Sequence, residues 1–308
     1  MTNMTMKKRR GSNYIRLSTG EKIFNVCNVV LMLLLVCFFL FPLLNMLSIS
    51  LSNEAAVLRG DITFYPIGYN GQAYQKIFTH GSLWHGVMNS VFVAGVGCVL
   101  SLLSLSIAAY PLAFGDFYGK KLYNILILIT MWFSGGIIPT FLTMTELKLH
   151  NTLWSLIFNT MITAYYVVIV RSYFESLPIS IAESARIDGA NDFRILFSLI
   201  IPLSKPVLAT VALWVIVGHW NDYLNALIFL SDRDKFTLQI VLKEMVLNAE
   251  SSVYAVSAGT SGDTLGAAAL GQQVRNAVLV VSMIPMVILY PFVQRYFITG
   301  VTLGAVKG

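Results

Sequence analysis

The sequence predicts an all-α membrane protein with six transmembrane helices. The chain has 308 residues, of which 56% are hydrophobic and only 12% are charged, and its mean hydropathy is +0.71. A soluble domain carries about 25% charged residues. Here the apolar residues are gathered into long runs, which are typical of membrane spans. The basic residues are distributed unevenly between the segments that join these runs, which indicates a fixed orientation in the membrane.

Six apolar runs are long enough to cross a bilayer, since about 20 helical residues span roughly 30 Å of hydrocarbon. They cover residues 29–49, 87–113, 122–145, 152–171, 207–230 and 276–297. The first run exceeds the apolar region of a signal peptide and lacks a small-residue cleavage site, so we expect a retained helix. Gly135, Gly136 and Pro139 interrupt the third run, a break that membrane helices tolerate when neighbours cover the freed backbone groups.

The basic residues favour a cytoplasmic location for both termini. With this orientation most lysines and arginines lie inside, including the cluster Lys7–Arg10, as the positive-inside rule requires. The chain then divides into these segments: a basic cytoplasmic tail 1–28, the first transmembrane helix 29–49, an extracytoplasmic segment 50–86, a transmembrane core 87–297 and a cytoplasmic tail 298–308. Within the core, residues 231–275 form a second extracytoplasmic segment and residues 178–206 form the main part of a cytoplasmic loop.

The composition argues against several other classes of protein. The net charge of +6 is explained by membrane topology, so we expect no nucleic-acid partner. Cys27, Cys37 and Cys98 all lie inside apolar runs, and the histidines are not spaced for a metal site. Neither H-E-x-x-H nor G-x-S-x-G occurs. The stretch GDFYGKK (115–121) has three residues between its glycines where a phosphate loop has four, so we expect no enzyme and no cofactor bound by this chain.

The cytoplasmic loop 178–206 reads PISIAESARIDGANDFRILFSLIIPLSKP and predicts two short helices. Ser180 and Glu183 have the spacing of a capping box, which predicts a helix over about 181–188. Gly189 suits the left-handed position that closes a helix. Asn191 or Asp192 can cap the second helix.

The second loop helix has an apolar face at helical spacing. Its members are Phe193, Leu196, Phe197 and Ile200. Pro202 is expected to stop this helix, and Pro206 to start the next span. Because the first helix is too short to be stable alone, it must dock on something. The loop physics alone leaves two possibilities, an ordered loop resting on the membrane surface and a docking element for a partner.

The pattern E-S-A-x3-G-x9-L-x-I-P over residues 183–202 resembles the EAA loop of bacterial ABC importer permeases. Ser184, Leu199 and Ile201 are mild departures from that pattern. Asn89-Ser90, the segment 220–223 and the end QRYFITGVTLGAVKG are also similar to the MalG-like permeases of binding-protein-dependent carbohydrate importers. NALIFLSDRDKFTLQIVLKEM (225–245) is most similar to the branch of LplC- and YtcP-type permeases, which imports complex oligosaccharides.

This resemblance implies the type I ABC importer permease fold in a bacterial cell membrane, with the first loop helix docked on a cytoplasmic ATPase. The residues that it assigns to ATPase coupling are Glu183, Ser184, Ala185, Asp188, Gly189 and Pro202. The implied partners are a second permease subunit, two ATPase subunits that bind ATP and magnesium, an extracytoplasmic solute-binding lipoprotein, an oligosaccharide substrate and membrane lipid. Closure of the ATPases would rotate the permease halves into an outward-facing state.

Polar residues inside a span are costly and often functional, and the richest cluster here is HWNDYLN (219–225). Trp220, Asn221, Tyr223 and Asn225 offer the amides and aromatic faces that a sugar path needs. The same groups could instead bond neighbouring helices in a bundle seam, or anchor the chain at the membrane interface. For the whole chain, the alternatives are a self-contained secondary transporter, which would favour an inverted repeat, and an ABC permease for a non-sugar solute.

Overall fold

A computed structural model describes the backbone of residues 18–257 and 264–305, and most side chains between residues 18 and 291. Every element in these ranges is helical, which confirms the all-α prediction. The longer helices are α1 (Thr19–Ser50), α4 (Gly81–Phe114), α5 (Lys120–Trp132), α8 (Ala164–Glu175), α12 (Lys205–Asn221), α14 (Leu238–Ser257) and α15 (Thr264–Ala305). The shorter ones are α2 (Glu54–Arg59), α3 (Gln72–Phe78), α6 (Ile137–Glu146), α7 (Leu153–Thr160), α9 (Ile179–Ile187), α10 (Asp192–Ile195), α11 (Ile201–Leu203) and α13 (Leu224–Phe229). A π-helical turn (Leu196–Ile200) joins α10 to α11, and a 3-10 turn (Arg233–Lys235) precedes α14.

Three helices are long and apolar enough to cross a membrane unaided: α1, α4 and the stretch Ala268–Ile288 of α15. Three bent pairs pass the same test only when their two halves are combined. The helix axis bends by 115° between α5 and α6, by 51° between α7 and α8, and by 83° between the stretch Asp192–Leu203 and α12. The described residues therefore offer three to six spans, and the count of six stays a prediction.

Three of the predicted runs are broken, the third, the fourth and the fifth. The fourth run, 152–171, breaks between α7 and α8, where the sequence predicts no break. The third breaks between Trp132 and Ile137, where Gly136 has a φ of +85°, as its glycines and proline predict. The prediction of a continuous fifth run over 207–230 is wrong, because α12 ends at Asn221. The Asp222 carboxylate accepts hydrogen bonds from the Asn225 backbone N–H and side-chain amide, at 3.0–3.1 Å. A side chain bonded to nearby backbone in this way competes with the continuing helix.

Helix α4 is at the centre of the fold and packs against α8, α12 and α14. Its buried face contains small residues, which allow the neighbouring backbones to approach closely. Gly97 shows why: a Cβ built there would lie 2.5 Å from Nε2 of His219 on α12. At Gly86 the Cβ would lie 3.2 Å from the Cα atom of Leu238 on α14.

The segment 231–275, predicted to be extracytoplasmic, contains α14 and the start of α15, although sequence analysis predicts no helix there. Asn89 of α4 donates hydrogen bonds to the backbone oxygens of Asp234 (2.8 Å) and Phe236 (3.0 Å). Ser90 Oγ accepts one from the Leu238 N–H at 2.9 Å. These bonds hold the entry to α14 against α4, which explains the polar pair Asn89-Ser90 near the start of a span.

The N-terminal helix α1 begins at Thr19, ahead of the predicted span 29–49. A capping box starts it, since Ser18 Oγ accepts from the Glu21 N–H and Glu21 accepts from the Ser18 N–H. None of its most apolar 18-residue window is buried. That surface is available to lipid or to another subunit. Residues 1–17 of the predicted basic tail and residues 306–308 of the predicted C-terminal tail lie outside the described residues. The rest of the predicted C-terminal tail, up to Ala305, belongs to α15.

Candidate coupling loop and translocation cavity

The first loop helix, α9, spans Ile179–Ile187. The predicted capping box is wrong, because Pro178 occupies the N-cap position and no side chain caps the helix. With the N-cap at 178, Ser180 lies inside the first turn and Glu183 lies beyond it. Proline can start this helix because its fixed φ is compatible with the extended N-cap conformation and its missing N–H is not needed there.

Helix α9 and the residue after it present three of the predicted coupling residues outward. Ala182 is buried and Ala185 is half-buried, whereas Glu183, Ser184 and Asp188 are exposed. Glu183 forms no ion pair with any other described residue. The outer face of α9 therefore carries a carboxylate that is free to meet a cationic partner.

The turn after α9 confirms two predictions. Gly189 has a φ of +83°, the left-handed conformation in which a side chain is strained. Asn191 caps the second helix by accepting a hydrogen bond from the Arg194 N–H at 2.8 Å. The backbone of this turn is held by bonds from Gly189 N to Arg186 O and from Ala190 N to Ala185 O.

The predicted apolar face of the second loop helix is only half right. Leu196 and Ile200 are buried, but Phe193 and Phe197 are 67% and 43% exposed. The π-helical turn over Leu196–Ile200 adds one residue to the repeat, so Ile195 shares the buried face with Ile200, five residues later.

The two prolines of the loop lie at different distances from the break. Pro202 lies in α11, which ends one residue later, at Leu203. Pro202 lacks an N–H to bond to the preceding turn, so its position after the π-helical turn follows from its chemistry. Pro206 lies in the first turn of α12, as predicted. The 83° bend therefore falls at Ser204, between the two prolines.

A hydrogen-bonded group that sequence reasoning missed ties the loop to α4. The Tyr110 hydroxyl donates to Asp192 Oδ1 at 2.8 Å, and Arg186 Nη2 donates to the same oxygen at 3.0 Å. The bond to Asp192 raises the pKa of the Arg186 guanidinium. We call Tyr110, Asp192 and Arg186 the loop latch. Tyr110 is 82 residues from Asp192 in the sequence, so no local pattern could have revealed the contact.

The structure separates the four residues of the predicted sugar path. Trp220 is buried and packs in an apolar cluster with Ile77 and Leu238. The Asn221 side-chain amide donates to its own helix, at Val217 O. These contacts favour the bundle-seam interpretation for Trp220.

The other two path residues reach open space, in different cavities. Tyr223 borders a cavity of about 310 Å³ that also contains Lys243, Glu250 and Arg275. Asn225 borders a cavity of about 270 Å³ between α7, α8, α12 and α13, which we call the central cavity. Its polar and aromatic lining includes Thr160, Thr163, Tyr166, Trp214, Asp222 and Asn225.

A second hydrogen-bonded group between distant parts of the chain lies at the turn before α7. It consists of Asn151, Ser231, Asp232 and Lys235, and we call it the outer joint. Asn151 has a φ of +58°, and its Oδ1 accepts hydrogen bonds from the N–H groups of Ser231 and Asp232 at 3.0 and 3.1 Å. Its side-chain amide donates to Asp232 Oδ2 at 2.8 Å. Hydrogen bonds from Lys235, and then from Asn151, lower the pKa of the Asp232 carboxyl. This joint was also missed, since its partners are about 80 residues apart.

In the part of the chain that the structure describes, no group of three His, Cys, Asp or Glu side chains comes together to hold a metal ion. The polar side chains of the described residues gather in three other places: the loop latch beside the exposed helix α9, the outer joint at Asn151, and the central cavity.

Comparison with known proteins agrees with this geometry. Residues 97–303 match the family model for the binding-protein-dependent transport system inner membrane component. The chain is 35% identical over 283 residues to the polygalacturonan/rhamnogalacturonan transport system permease protein YtcP of Bacillus subtilis, covering 91% of this chain and 96% of YtcP. It is 33% identical over 288 residues to protein LplC of the same organism, covering 93% and 96%.

A solved structure is similar over the same length. One chain of a bacterial ABC transporter involved in the import of the acidic polysaccharide alginate superposes with a TM-score of 0.80 at 33% identity, covering 91% of this chain and 99% of that one. These relatives are transport permeases and not enzymes. The predicted resemblance and the type I permease fold are therefore confirmed, and the chain belongs to the family of binding-protein-dependent transport system inner membrane components.

Proposed function

We propose that this chain is one permease subunit of an ATP-driven importer for oligosaccharides or fragments of complex polysaccharides. Family membership supports the transport role and argues against a self-contained secondary transporter. The named cargo of YtcP and of the alginate importer supports a sugar substrate. A non-sugar solute is the alternative, and uptake assays with both classes of solute distinguish the two.

We propose the assembly that the family resemblance implies. The chain crosses a bacterial cell membrane six times with both termini in the cytoplasm, and it pairs with a second permease subunit. Two cytoplasmic ATPases bind ATP and magnesium, and a solute-binding lipoprotein delivers the sugar from outside. The unburied apolar surface of α1 and the absence of buried side chains in α5 are consistent with burial against lipid or the second permease.

The exposed outer face of α9 is the observation that carries the coupling proposal. Glu183, Ser184 and Asp188 face away from the core, and the Gly189 turn fixes where α9 ends. A groove on the ATPase would receive this face, with Glu183 opposite a basic residue. The loop latch joins α9 to α4, and α4 contacts α8, α12 and α14. Motion of the ATPase would thus reach the centre of the permease as rigid-body displacement.

Glu183→Arg tests the coupling proposal. The side chain is exposed, so the change reverses a charge without disturbing the core. We expect uptake to be lost, with the ATPase either co-purifying poorly or hydrolysing ATP without transport. Glu146→Arg is the matched control, because Glu146 is an exposed acid at the end of α6 and forms no ion pair with a described residue. Normal uptake and normal ATP-dependent gating in Glu183→Arg would contradict the proposal.

Trp220→Ala tests the predicted sugar path. If Trp220 contacts the sugar, uptake kinetics change while the complex stays assembled. The buried position of Trp220 makes packing the competing explanation, because truncating a buried aromatic residue costs about 3–5 kcal/mol. The measurement therefore includes assembly and thermal stability. Unchanged kinetics, or a loss that follows instability, would assign Trp220 to packing.

A further inference from the structure

We propose that the central cavity binds one neutral pyranose ring of the transported chain, with Trp214 and Tyr166 as its stacking face. The inference rests on the proposed sugar-import function and goes further, because it names the contact that this subunit makes. The sugar path predicted from the sequence lies at 220–225 and includes neither Trp214 nor Tyr166.

Two breaks in the helical backbone meet at the central cavity. Thr160 and Thr163 flank the break between α7 and α8, and Asp222 lies at the break between α12 and α13. At membrane depth, non-helical backbone is tolerated only where it is covered by protein or lines a cavity. Transporters commonly place solute sites at such discontinuous helices. The fold therefore keeps irregular backbone at the position where a solute could use it.

The cavity has an aromatic wall. The rings of Tyr166 and Trp214 lie 5.8 Å apart with 24° between their planes, and Tyr165 packs beside Trp214 with centroids 6.1 Å apart. Both Tyr166 and Trp214 are half-buried, so part of each ring is open to the cavity. A half-buried aromatic pair offers the flat apolar face on which the C–H side of a sugar ring can pack.

A sugar ring also needs hydrogen-bond partners for its hydroxyl groups, and Asp222 and Asn225 provide them in the central cavity. The Asp222 carboxylate accepts from Asn225, which orients both side chains. The Asn225 side-chain oxygen accepts no hydrogen bond from another described residue, and a carboxylate has capacity for further donors. A sugar hydroxyl could therefore donate to either residue.

Charge and size narrow the ligand to a neutral ring. Asp222 lines the cavity together with the buried His219, and none of its lining residues, all within the described part of the chain, is lysine or arginine. A uronate carboxylate would meet the Asp222 carboxylate with no lysine or arginine beside it, which is unfavourable. The volume of about 270 Å³ lies just below the ~300 Å³ at which pockets hold drug-sized molecules. The central cavity therefore has room for a single sugar ring of the transported chain.

The test uses the complete importer, with its second permease and ATPases, reconstituted in nanodiscs without the solute-binding protein. Maltotriose, galactotriose and xylotriose serve as neutral probes and trigalacturonate as the acidic one, each titrated by saturation-transfer NMR. We expect at least one neutral probe to bind more tightly than trigalacturonate. Trp214→Leu, which keeps an apolar side chain, should weaken that binding about fivefold to tenfold. Asp222→Asn should strengthen trigalacturonate binding.

Trp154→Leu is the matched control, since Trp154 is a partly exposed tryptophan stacked on Phe158 outside the cavity. Its affinities should equal those of the wild type. The inference is overturned if no neutral probe binds, if trigalacturonate binds more tightly than every neutral probe, if Trp214→Leu keeps wild-type affinity, or if Asp222→Asn brings no gain.

ATP-driven uptake by the same complex, with its binding protein added, separates the two levels of the argument. If the wild-type complex imports no oligosaccharide, the proposed function fails. If it imports sugar while Trp214→Leu retains wild-type binding, the proposed function stands and only the cavity assignment fails.

Discussion

Removing one hydroxyl from the loop latch should loosen the loop 178–206 without unfolding the protein. Tyr110→Phe deletes the bond to Asp192 and leaves the buried ring in place, so no cavity forms. A hydrogen bond to a charged group contributes about 1.5–3 kcal/mol. The Asp192 side chain is 63% exposed, so water replaces much of the lost bond, and we expect a net cost of about 1 kcal/mol. That cost corresponds to roughly a fivefold rise in the population of the opened loop.

Hydrogen–deuterium exchange can measure this opening. The amides of Asp188, Gly189 and Ala190 bond back to α9 and report whether the turn is closed. They should exchange about fivefold faster in Tyr110→Phe. Tyr173→Phe is the matched control, because the Tyr173 hydroxyl on α8 forms no hydrogen bond with a described residue. Equal exchange in Tyr110→Phe and the wild type would refute the latch.

Two further predictions concern helix packing and the outer joint. Gly97→Ala should lower the thermal midpoint of the purified complex, because its Cβ would meet the buried His219 ring and overpacking costs about 1–3 kcal/mol. Gly95→Ala is the control and should leave the midpoint unchanged, because Gly95 lies on the exposed side of α4 with nothing within 4 Å of its Cβ position. Equal midpoints for the two variants would contradict the close approach of α4 and α12. At the outer joint, hydrogen bonds lower the pKa of Asp232 in the folded protein. The ionised carboxylate therefore contributes to stability at any pH above its unfolded-state pKa of about 3.9, and this contribution is lost as pH falls through the lower folded-state pKa. Proteolysis near the joint should therefore rise only below about pH 4, whereas Asn151→Ala should raise it at neutral pH; resistance of Asn151→Ala to cleavage would count against the joint.

Local signals in the loop 178–206 were predictable because each acts over a few residues. Gly189 terminates α9 through its own backbone freedom, and Asn191 caps the next helix through a bond three residues away. The predicted capping box at Ser180 is wrong for an equally local reason, since Pro178 offers a competing start two residues earlier. The prediction that Phe193 and Phe197 belong to a buried apolar face is wrong, because a π-helical turn changes the helical periodicity on which that prediction depended.

The helical class, the apolar runs and the pattern that resembles the EAA loop depend on composition and short spacings, and the sequence by itself determined them. The loop latch, the joint at Asn151 and the central cavity were decided only by the tertiary structure. Each joins residues that lie far apart in the chain, such as Tyr166 and Trp214, which meet because α8 and α12 both pack on α4. Neighbour relations of that kind arise from how helices pack against one another. No periodicity within a single segment encodes them.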